Sequence, residues 1–385
     1  MSGGVAKIRG AMRGNGEGDC SFARNAKRTP LITHRSLHCV HLTSVHPAFD
    51  HRIFHKECLS LVRAGHRVTL IAPYDGTDTV NGVRVVGVPR ASSRRMRIMQ
   101  TVPAVYRAAV AEEADVYHLH DPELLPVGVL LRLRGARVVY DVHEDLPRQI
   151  GGKPWIPRRL RRFVAACAGM GEAILSRAVS GIVAATPTIA RRFPTPKTVT
   201  VRNFADLSAD RFDAATPYRQ RGPVLIHASS TLAGIRGARE MVAAMERLPG
   251  ARLVLLGEME TRLREELAAI SGWKQVDWLG RRPVEELPSH LARARIGLSV
   301  LHDLPNYRDA LPTKLYEFMA AGLPIVASDF PLWRAEYGPA GCARFVDPRD
   351  VEGIADAVRW LLEHPDEAEA MGRRGRQAVE SQWNW

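Results

Sequence analysis

Short apolar runs alternate with amphipathic stretches through the first half of the chain. The runs at 38–43, 67–72, 83–88, 115–120 and 136–141 predict buried strands, and helical spacing of apolar residues lies between most of them. Alternation of this kind predicts a parallel sheet with helices on both faces. Because such crossovers are right-handed, the sheet should be doubly wound.

The pattern stops between residues 204 and 223 and then starts again. Asp, Ser, Ala, Pro and Arg residues fill this segment without apolar periodicity, which is typical of an interdomain linker. Six runs in the second half predict another set of buried strands, at 224–227, 252–256, 276–279, 296–300, 324–327 and 343–346.

The predicted fold is therefore α/β, with two Rossmann-like, doubly wound parallel-sheet domains facing across a cleft. We assign residues 1–35 to a disordered basic extension, 36–203 to an N-terminal domain, 204–223 to a linker and 224–385 to a C-terminal domain. In such sheets ligands bind beyond the carboxyl ends of the strands, so we expect the functional site in the cleft.

Charge divides the chain unevenly. Residues 31–204 carry 25 Lys and Arg against 13 Asp and Glu, a net of +12, whereas residues 205–385 carry 23 against 26, a net of −3. The basic half leaves nucleic acid, anionic lipid and acidic small substrates open as partners. Nucleic acid is disfavoured because no helix-turn-helix, zinc or aromatic-basic motif is present.

The five cysteines are scattered, which favours neither a disulfide framework nor a zinc knuckle and fits a reducing cytosol. No apolar run reaches the ~18 residues of a membrane span. We therefore expect a cytoplasmic protein.

A motif in the second half joins a loop, a helix and a strand. Thr313 is a good helix-start residue, the helix is predicted to run to about Ala321, and a glycine follows it. A helix N-terminus can hold a diphosphate, with the Lys314 ammonium beside it, and Glu317 one turn later can accept hydrogen bonds from ribose hydroxyls. The alternative is structural, with Asp309 capping the helix and Glu317 solvated.

Residues 309–328 resemble the retaining GT-B glycosyltransferases of the family 4 group (glycosyl transferases group 1). Members of that group carry two acidic residues separated by seven. The resemblance implies that Asp309 contacts the donor sugar at the reactive centre and that Glu317 binds the ribose. It also implies that the N-terminal domain binds the acceptor. This sequence has Asp309 where the family usually has Glu.

A second segment, residues 231–237, is similar to the family's strand-loop-helix unit that ends in a basic residue and Gly. By this resemblance Arg236 neutralises the donor diphosphate, which suits a guanidinium. Ser229 and Ser230 stand where the family usually has Gly, often followed by Arg, and we assign Ser230 to donor binding. Gly280 ends a predicted strand where family backbones read the base. The alternative for Arg236 is an ordinary surface residue.

Two clusters of His and carboxylate residues, at 118–121 and 141–145, follow adjacent predicted strands of the first half. By the same resemblance His120 faces the donor sugar and is catalytic, together with Asp309. The residues assigned to acceptor binding are His143, Glu144, Asp145 and, in the loop after the first strand, Asp50, with a weaker assignment for Arg52.

The chain contains neither an Asp-x-Asp pair nor the His–Glu–His spacing of a metal site. We therefore expect no cofactor and no metal, the diphosphate being held by Arg236, Lys314 and a helix dipole. The expected substrates are a UDP-, GDP- or dTDP-sugar and a hydroxyl acceptor.

Basic clusters at residues 90–97 and 158–162 open amphipathic stretches of the N-terminal half, so peripheral contact with an anionic membrane and a lipid-linked acceptor are consistent with the sequence. Ordinary solvated arginines are the alternative. Family members usually continue beyond the equivalent of Trp385 into a helix that packs on the N-terminal domain, and without it we expect looser domain closure.

The predicted function is transfer of a hexosyl group with retention of configuration, in cell-surface polysaccharide, glycolipid or secondary-metabolite biosynthesis. Two alternatives stay open: a nucleotide-sugar epimerase or hydrolase on the same fold, and a catalytically silent sugar-nucleotide binder.

Overall fold

The computed structural model describes residues 35–151, 156–207, 212 and 216–385. The predicted basic extension lies almost wholly outside these residues, as does the middle of the predicted linker. Residues 37–385 form one compact unit.

The first sheet has eight strands among the described residues. They are β1 His38–Leu42, β2 Arg67–Pro73, β3 Thr77–Val80, β4 Val83–Val88, β5 Val116–Leu119, β6 Arg137–Val142, β7 Gly181–Ala184 and β8 Thr198–Thr200. Their order across the sheet is β3-β4-β2-β1-β5-β6-β7-β8. All neighbours pair in parallel except β3, which runs antiparallel to β4 at the edge.

The second sheet has six parallel strands among the described residues. They are β9 Val224–Leu232, β10 Arg252–Met259, β11 Val276–Gly280, β12 Ile296–Ser299, β13 Ile325–Ser328 and β14 Ala343–Val346. Their order across the sheet is β11-β10-β9-β12-β13-β14. Successive strands are added first towards one edge of each sheet and then towards the other. The order reverses between β1 and β5 in the first sheet and between β9 and β12 in the second. The prediction of two doubly wound α/β sheets is confirmed, and these reversals are the switch points where such sheets bind ligands.

Helices cover both faces of each sheet. In the N-terminal lobe, the part built on the first sheet, they are α1 Leu59–Arg63, α2 Arg94–Met96, α3 Val102–Glu112, α4 Leu125–Leu133, α5 Leu146–Gly151, α6 Arg158–Leu175 and α7 Pro187–Ala190, with π-helical segments at Ile53–Cys58 and Arg97–Thr101. In the C-terminal lobe they are α8 Ala238–Ala244, α9 Thr261–Ala268, α10 Leu287–Leu291, α11 Pro305–Arg308, α12 Thr313–Ala320, α13 Pro331–Tyr337, α14 Val351–Glu363 and α15 Pro365–Gln382.

Apolar side chains of strands and helices form the cores of both lobes. Strands β12 and β13 are buried along their whole length, as expected for central parallel strands. The helix predicted from Thr313 ends at Ala320, and Gly322 follows with φ +65°. None of the described helices is long and apolar enough to cross a membrane.

Candidate functional site at the facing edges of the two sheets

Arg236 lies at the carboxyl end of the central strand β9, in a 3-10 turn that leads into α8. Its Nη1 donates to Ser229 Oγ and to the carbonyl oxygen of Thr231, and its Nε lies 3.4 Å from Tyr307 Oη. Ser229 therefore orients the guanidinium, while the neighbouring Ser230 is exposed. The Ser229 hydroxyl holds the cation in place at the end of β9.

The turn after Arg236 requires glycine. Gly237 has φ +75°, and a Cβ there would lie 2.0 Å from the carbonyl oxygen of Val300. The left-handed backbone and this close approach let α8 begin directly against the neighbouring strand.

Lys314 occupies the first turn of α12, beside the carboxyl end of β9. Its Nζ is 3.5 Å from His227 Nε2, and His227 Nδ1 is 2.9 Å from the carbonyl oxygen of Leu298. Because that carbonyl can only accept, His227 is protonated on Nδ1 and presents Nε2 as an acceptor. Burial lowers the pKa of Lys314 to about 7; the nearby Arg236 cation adds to this effect and Glu317 opposes it.

Glu317 is the second predicted acidic residue, and its side chain lies in a pocket between the lobes. Its Oε1 is 3.5 Å from Nε2 of His51, which belongs to the N-terminal lobe. Lys56 and Val284 also line this pocket. Lys56 donates to Asn203 Oδ1, and burial lowers its pKa to about 8.

Asp309 precedes α12 and contacts the other lobe. Arg148 Nη1 donates to Asp309 Oδ2 at 2.6 Å, with both side chains roughly half exposed. Arg148 also lies 3.6 Å from Asp145, which in turn lies 3.4 Å from Arg192 Nη1. The predicted donor-sugar residue and a predicted acceptor residue are thus joined by one arginine.

Four histidines gather at the switch point of the first sheet. His41 on β1 pairs in register with His118 on β5, and His120 follows β5. His41 Nδ1 is 2.9 Å from His120 Nε2, and His120 Nδ1 is 3.1 Å from Nε2 of His143, which follows β6. Burial lowers the pKa of His118 to about 4 and that of His120 to about 3, so both imidazoles are neutral near pH 7.

Arg52 and two carboxylates complete this buried cluster. Asp141 accepts hydrogen bonds from Arg52 Nε at 3.1 Å and Nη2 at 3.0 Å, and it lies 2.7 Å from His143 Nε2. Burial opposes its ionisation, but His143 and Arg52 hold the pKa of Asp141 well below its usual range. Burial and the nearby Asp141 charge raise the pKa of Glu57 well above normal.

The predicted N-terminal site residues differ in exposure. The His120 side chain is fully buried, whereas that of His143 is 15% exposed. Glu144 accepts a hydrogen bond from Gln149. Asp50 Oδ1 accepts the backbone N–H groups of Arg52 and Ile53 and so caps the π-helical segment. The substrate contacts assigned to these residues stay predictions.

Sequence reasoning missed His41, Glu57 and His227 altogether and gave Arg52 only a minor part. These residues lie on different strands and helices, so no local motif contains them. One signal was present: His118 and His120 have the two-residue spacing that places side chains on one face of a strand.

Among the described residues, two groups can hold a metal ion, with ligand atoms within 4.8 Å of one another. They are His41, Glu57, His118 and His120, and Glu57, His120, Asp141 and His143. The expectation that the protein needs no metal stays a prediction.

Known proteins resemble both lobes. A family model described as Glycosyl transferases group 1 matches residues 219–378, and one described as Glycosyl transferase 4-like domain matches residues 51–203. A GDP-mannose-dependent alpha-(1-6)-phosphatidylinositol monomannoside mannosyltransferase of Mycobacterium tuberculosis is 28% identical over 346 residues, which are 83% of this chain and 86% of that protein. An MMP alpha-(1->4)-mannosyltransferase of Mycolicibacterium hassiacum is 26% identical over 72% of this chain and 70% of that protein.

Solved structures share the arrangement of the two sheets. Sucrose-phosphate synthase from Thermosynechococcus elongatus superposes with a TM-score of 0.69 at 18% identity, covering 91% of this chain and 96% of that one. HepE from Anabaena, in complex with UDP, superposes with a TM-score of 0.67 at 14% identity, covering 91% and 96%. With both lobes matched by family models, the chain belongs to the group 1 glycosyl transferases, GT-B enzymes that transfer a glycosyl group from a nucleotide sugar to an acceptor.

Proposed function

We propose that the C-terminal lobe holds the nucleotide sugar, that the N-terminal lobe holds the acceptor, and that transfer proceeds with retention and without a metal at the diphosphate. Arg236, Lys314 and the N-terminus of α12 bind the diphosphate. Glu317 accepts from the ribose hydroxyls, and Asp309 from the donor sugar. The observation that carries this proposal is the convergence of Arg236 and Lys314 at one sheet edge, close enough for Arg236 to depress the pKa of Lys314.

Two adjacent cations repel each other, and this arrangement is stabilised when an anion lies between them. A diphosphate supplies this negative charge. As the leaving group it becomes more negative when the glycosidic bond breaks. Positively charged groups fixed beforehand at that position lower the barrier. Since no described carboxylate is clearly placed as a covalent nucleophile, we infer attack on the same face, assisted by the leaving phosphate.

The acceptor side of the cleft is the edge that carries His143, Glu144, Asp145 and Asp50. His120 could contact a substrate only after a conformational change, because its ring is enclosed by the other histidines of the cluster. His143 is bonded to the same carboxylate, Asp141, and reaches the surface. The ion pair between Asp309 and Arg148 must open when the donor sugar binds.

Helix α6 suggests where the acceptor comes from. Only Glu172 of this 18-residue helix is buried, and its large apolar side chains Phe163, Met170 and Ile174 are 59–69% exposed. Arginines at 158, 159, 161 and 162 lie in its first turns. An apolar surface beside basic residues suits the interface of an anionic membrane. The mycobacterial relative that acts on a phosphatidylinositol mannoside supports a lipid-linked acceptor and a peripheral location.

The first experiment measures nucleoside diphosphate released from a panel of UDP-, GDP- and dTDP-sugars, with and without membrane lipid extract. The mannosyltransferase relatives make GDP-mannose the first donor to try. Acceptor-dependent release that falls at least about 100-fold in Glu317→Gln supports the proposal. Glu352→Gln, an exposed glutamate in the first turn of α14, is the matched control.

The alternatives give different results in the same assay. Release at an equal rate without acceptor indicates a hydrolase. Binding without release across the panel indicates a silent binder, and either result contradicts the transferase proposal.

Membrane contact is tested separately by sedimentation with vesicles. We expect binding to vesicles of anionic phospholipid, weaker binding to phosphatidylcholine, and loss of binding in the double variant Phe163→Ser, Ile174→Ser. Leu133→Ser removes an apolar side chain of α4 that is even more exposed, and this variant should bind normally. Equal binding by both variants would contradict the role of α6.

A further inference from the structure

The histidine cluster of the N-terminal lobe has the distances of a metal site. Three of its atoms, His41 Nδ1, His120 Nε2 and Glu57 Oε2, form a triangle with sides of 2.9, 3.8 and 3.8 Å. His118 Nδ1 lies 3.8 Å from the same Glu57 oxygen. Ligands bound to a tetrahedral zinc ion at 2.0–2.1 Å lie about 3.3 Å from one another, so small shifts bring these four atoms to a shared centre.

Hydrogen bonds within the protein leave this cluster incomplete. Both oxygens of Glu57 are buried without a hydrogen-bond partner of good geometry, although Arg52 Nε lies 2.9 Å from Glu57 Oε1. Buried polar groups are nearly always satisfied, so these two oxygens need an explanation. A bound cation would give the Glu57 carboxylate a partner.

The surrounding residues match the outer shell of a metal site. A metal-bound histidine commonly donates its other ring N–H to a carboxylate, which fixes the ring. His120 Nδ1 lies 3.3 Å from Asp141 Oδ2, and Asp141 is itself held by Arg52. Because Arg52 and His143 already bind Asp141, we assign this carboxylate to the outer shell and Glu57 to the metal.

We propose that His41, His118, His120 and Glu57 bind one divalent transition-metal ion, with zinc the best fit to three imidazoles and a carboxylate. Four protein ligands leave no open position, which is the pattern of structural rather than catalytic zinc sites. The ion joins β1, β5 and the π-helical segment Ile53–Cys58 at the switch point of the sheet. It would fix this segment and the loop before it, which carries Asp50 and Arg52, without touching the donor diphosphate.

The test uses the full chain, stripped with a chelator, incubated with Zn²⁺ and desalted. We expect one zinc per chain by mass spectrometry of the elements, and a melting temperature that rises with zinc concentration. Substitution with Co²⁺ should give the strong visible absorption of a tetrahedral site. The amount of zinc retained per chain should fall more than about tenfold in Glu57→Gln and in His118→Asn.

Two control variants separate this site from incidental binding. His364→Asn removes a histidine that stacks on Trp360 far along the sequence, and Cys167→Ser removes an exposed thiol; both should retain one zinc. If the wild-type chain retains no stoichiometric zinc, the proposal is wrong, whether or not the cluster variants fold. It is equally wrong if Glu57→Gln and His118→Asn, folded by circular dichroism, retain zinc as the wild type does.

Discussion

Lys314 gives donor binding a pH dependence that can be worked out beforehand. In the protein without donor its pKa is lowered to about 7 from the ordinary 10.5. A bound diphosphate places negative charge beside the ammonium and raises the pKa again. Between these two values the protein must take up a proton to bind, so affinity falls as pH rises. The folding stability depends on pH in the opposite sense. Between pH values of about 7 and 10.5 the unfolded chain binds more protons at Lys314 than the folded chain does, so stability rises with pH.

The size of the effect follows from the fraction of Lys314 that is charged. With a pKa near 7, about a quarter of the molecules carry the ammonium at pH 7.5 and about 1% at pH 9. The dissociation constant for the nucleoside diphosphate should therefore rise roughly 25-fold across this range, or roughly 2 kcal/mol.

Isothermal titration calorimetry with UDP and GDP measures this directly. Titrations at pH 8.5 in two buffers of different ionisation enthalpy count the protons taken up, and we expect nearly one. Lys314→Arg, which stays charged, should bind with little pH dependence. Ionisation of the nucleotide base affects both proteins equally. A wild-type dissociation constant that changes less than twofold, with no proton uptake, would refute the role given to Lys314.

Three further substitutions test other parts of the structure. Arg52→Met leaves two buried carboxylates without their guanidinium and should lower the free energy of unfolding by about 3–5 kcal/mol in urea titrations; a loss below about 1 kcal/mol would contradict the described ion pairs. Gly237→Ala adds a methyl group 2.0 Å from a carbonyl oxygen in left-handed backbone, so it should cost about 2–3 kcal/mol, more than Gly250→Ala, which has open space. Arg148→Gln frees Asp309 and should lower the KM for donor about twofold, since such exposed pairs are weak; a KM raised more than about fivefold would show that Arg148 itself binds the donor.

Much of the fold followed from the apolar pattern. Every predicted strand is present, and most of them are central parallel strands, which are continuous apolar runs. The strand Thr77–Val80 escaped prediction because it lies at the sheet edge and is mostly exposed, so it has no apolar signature. Gly181–Ala184 lies directly after the apolar stretch of α6 and could not be separated from it by periodicity.

The two halves of the site differed in how far the sequence predicted them. The donor-side residues Lys314 and Glu317 share one helix turn, so their spacing is a local property of the chain. The N-terminal cluster joins His41, Glu57 and His118 through sheet register and a helix that packs on it. Such proximity depends on tertiary structure, and a single sequence contains no record of it.

Trp385, the last described residue, contacts the N-terminal lobe, although the sequence predicted loose closure of the two domains. Trp385 Nε1 donates to Ser60 Oγ at 2.8 Å, and its ring lies 5.7 Å from the Arg52 guanidinium carbon. The last described residues therefore pack on the N-terminal lobe.

Transfer itself is tested most directly by following the sugar. A donor labelled in its sugar, chosen from the release panel, is incubated with lipid extract, and labelled product is compared with nucleoside diphosphate formed. The account predicts one labelled product molecule for each diphosphate with the wild type, and neither with Glu317→Gln, whose fold is checked by its melting temperature. Diphosphate released with free labelled sugar and no labelled acceptor would contradict it.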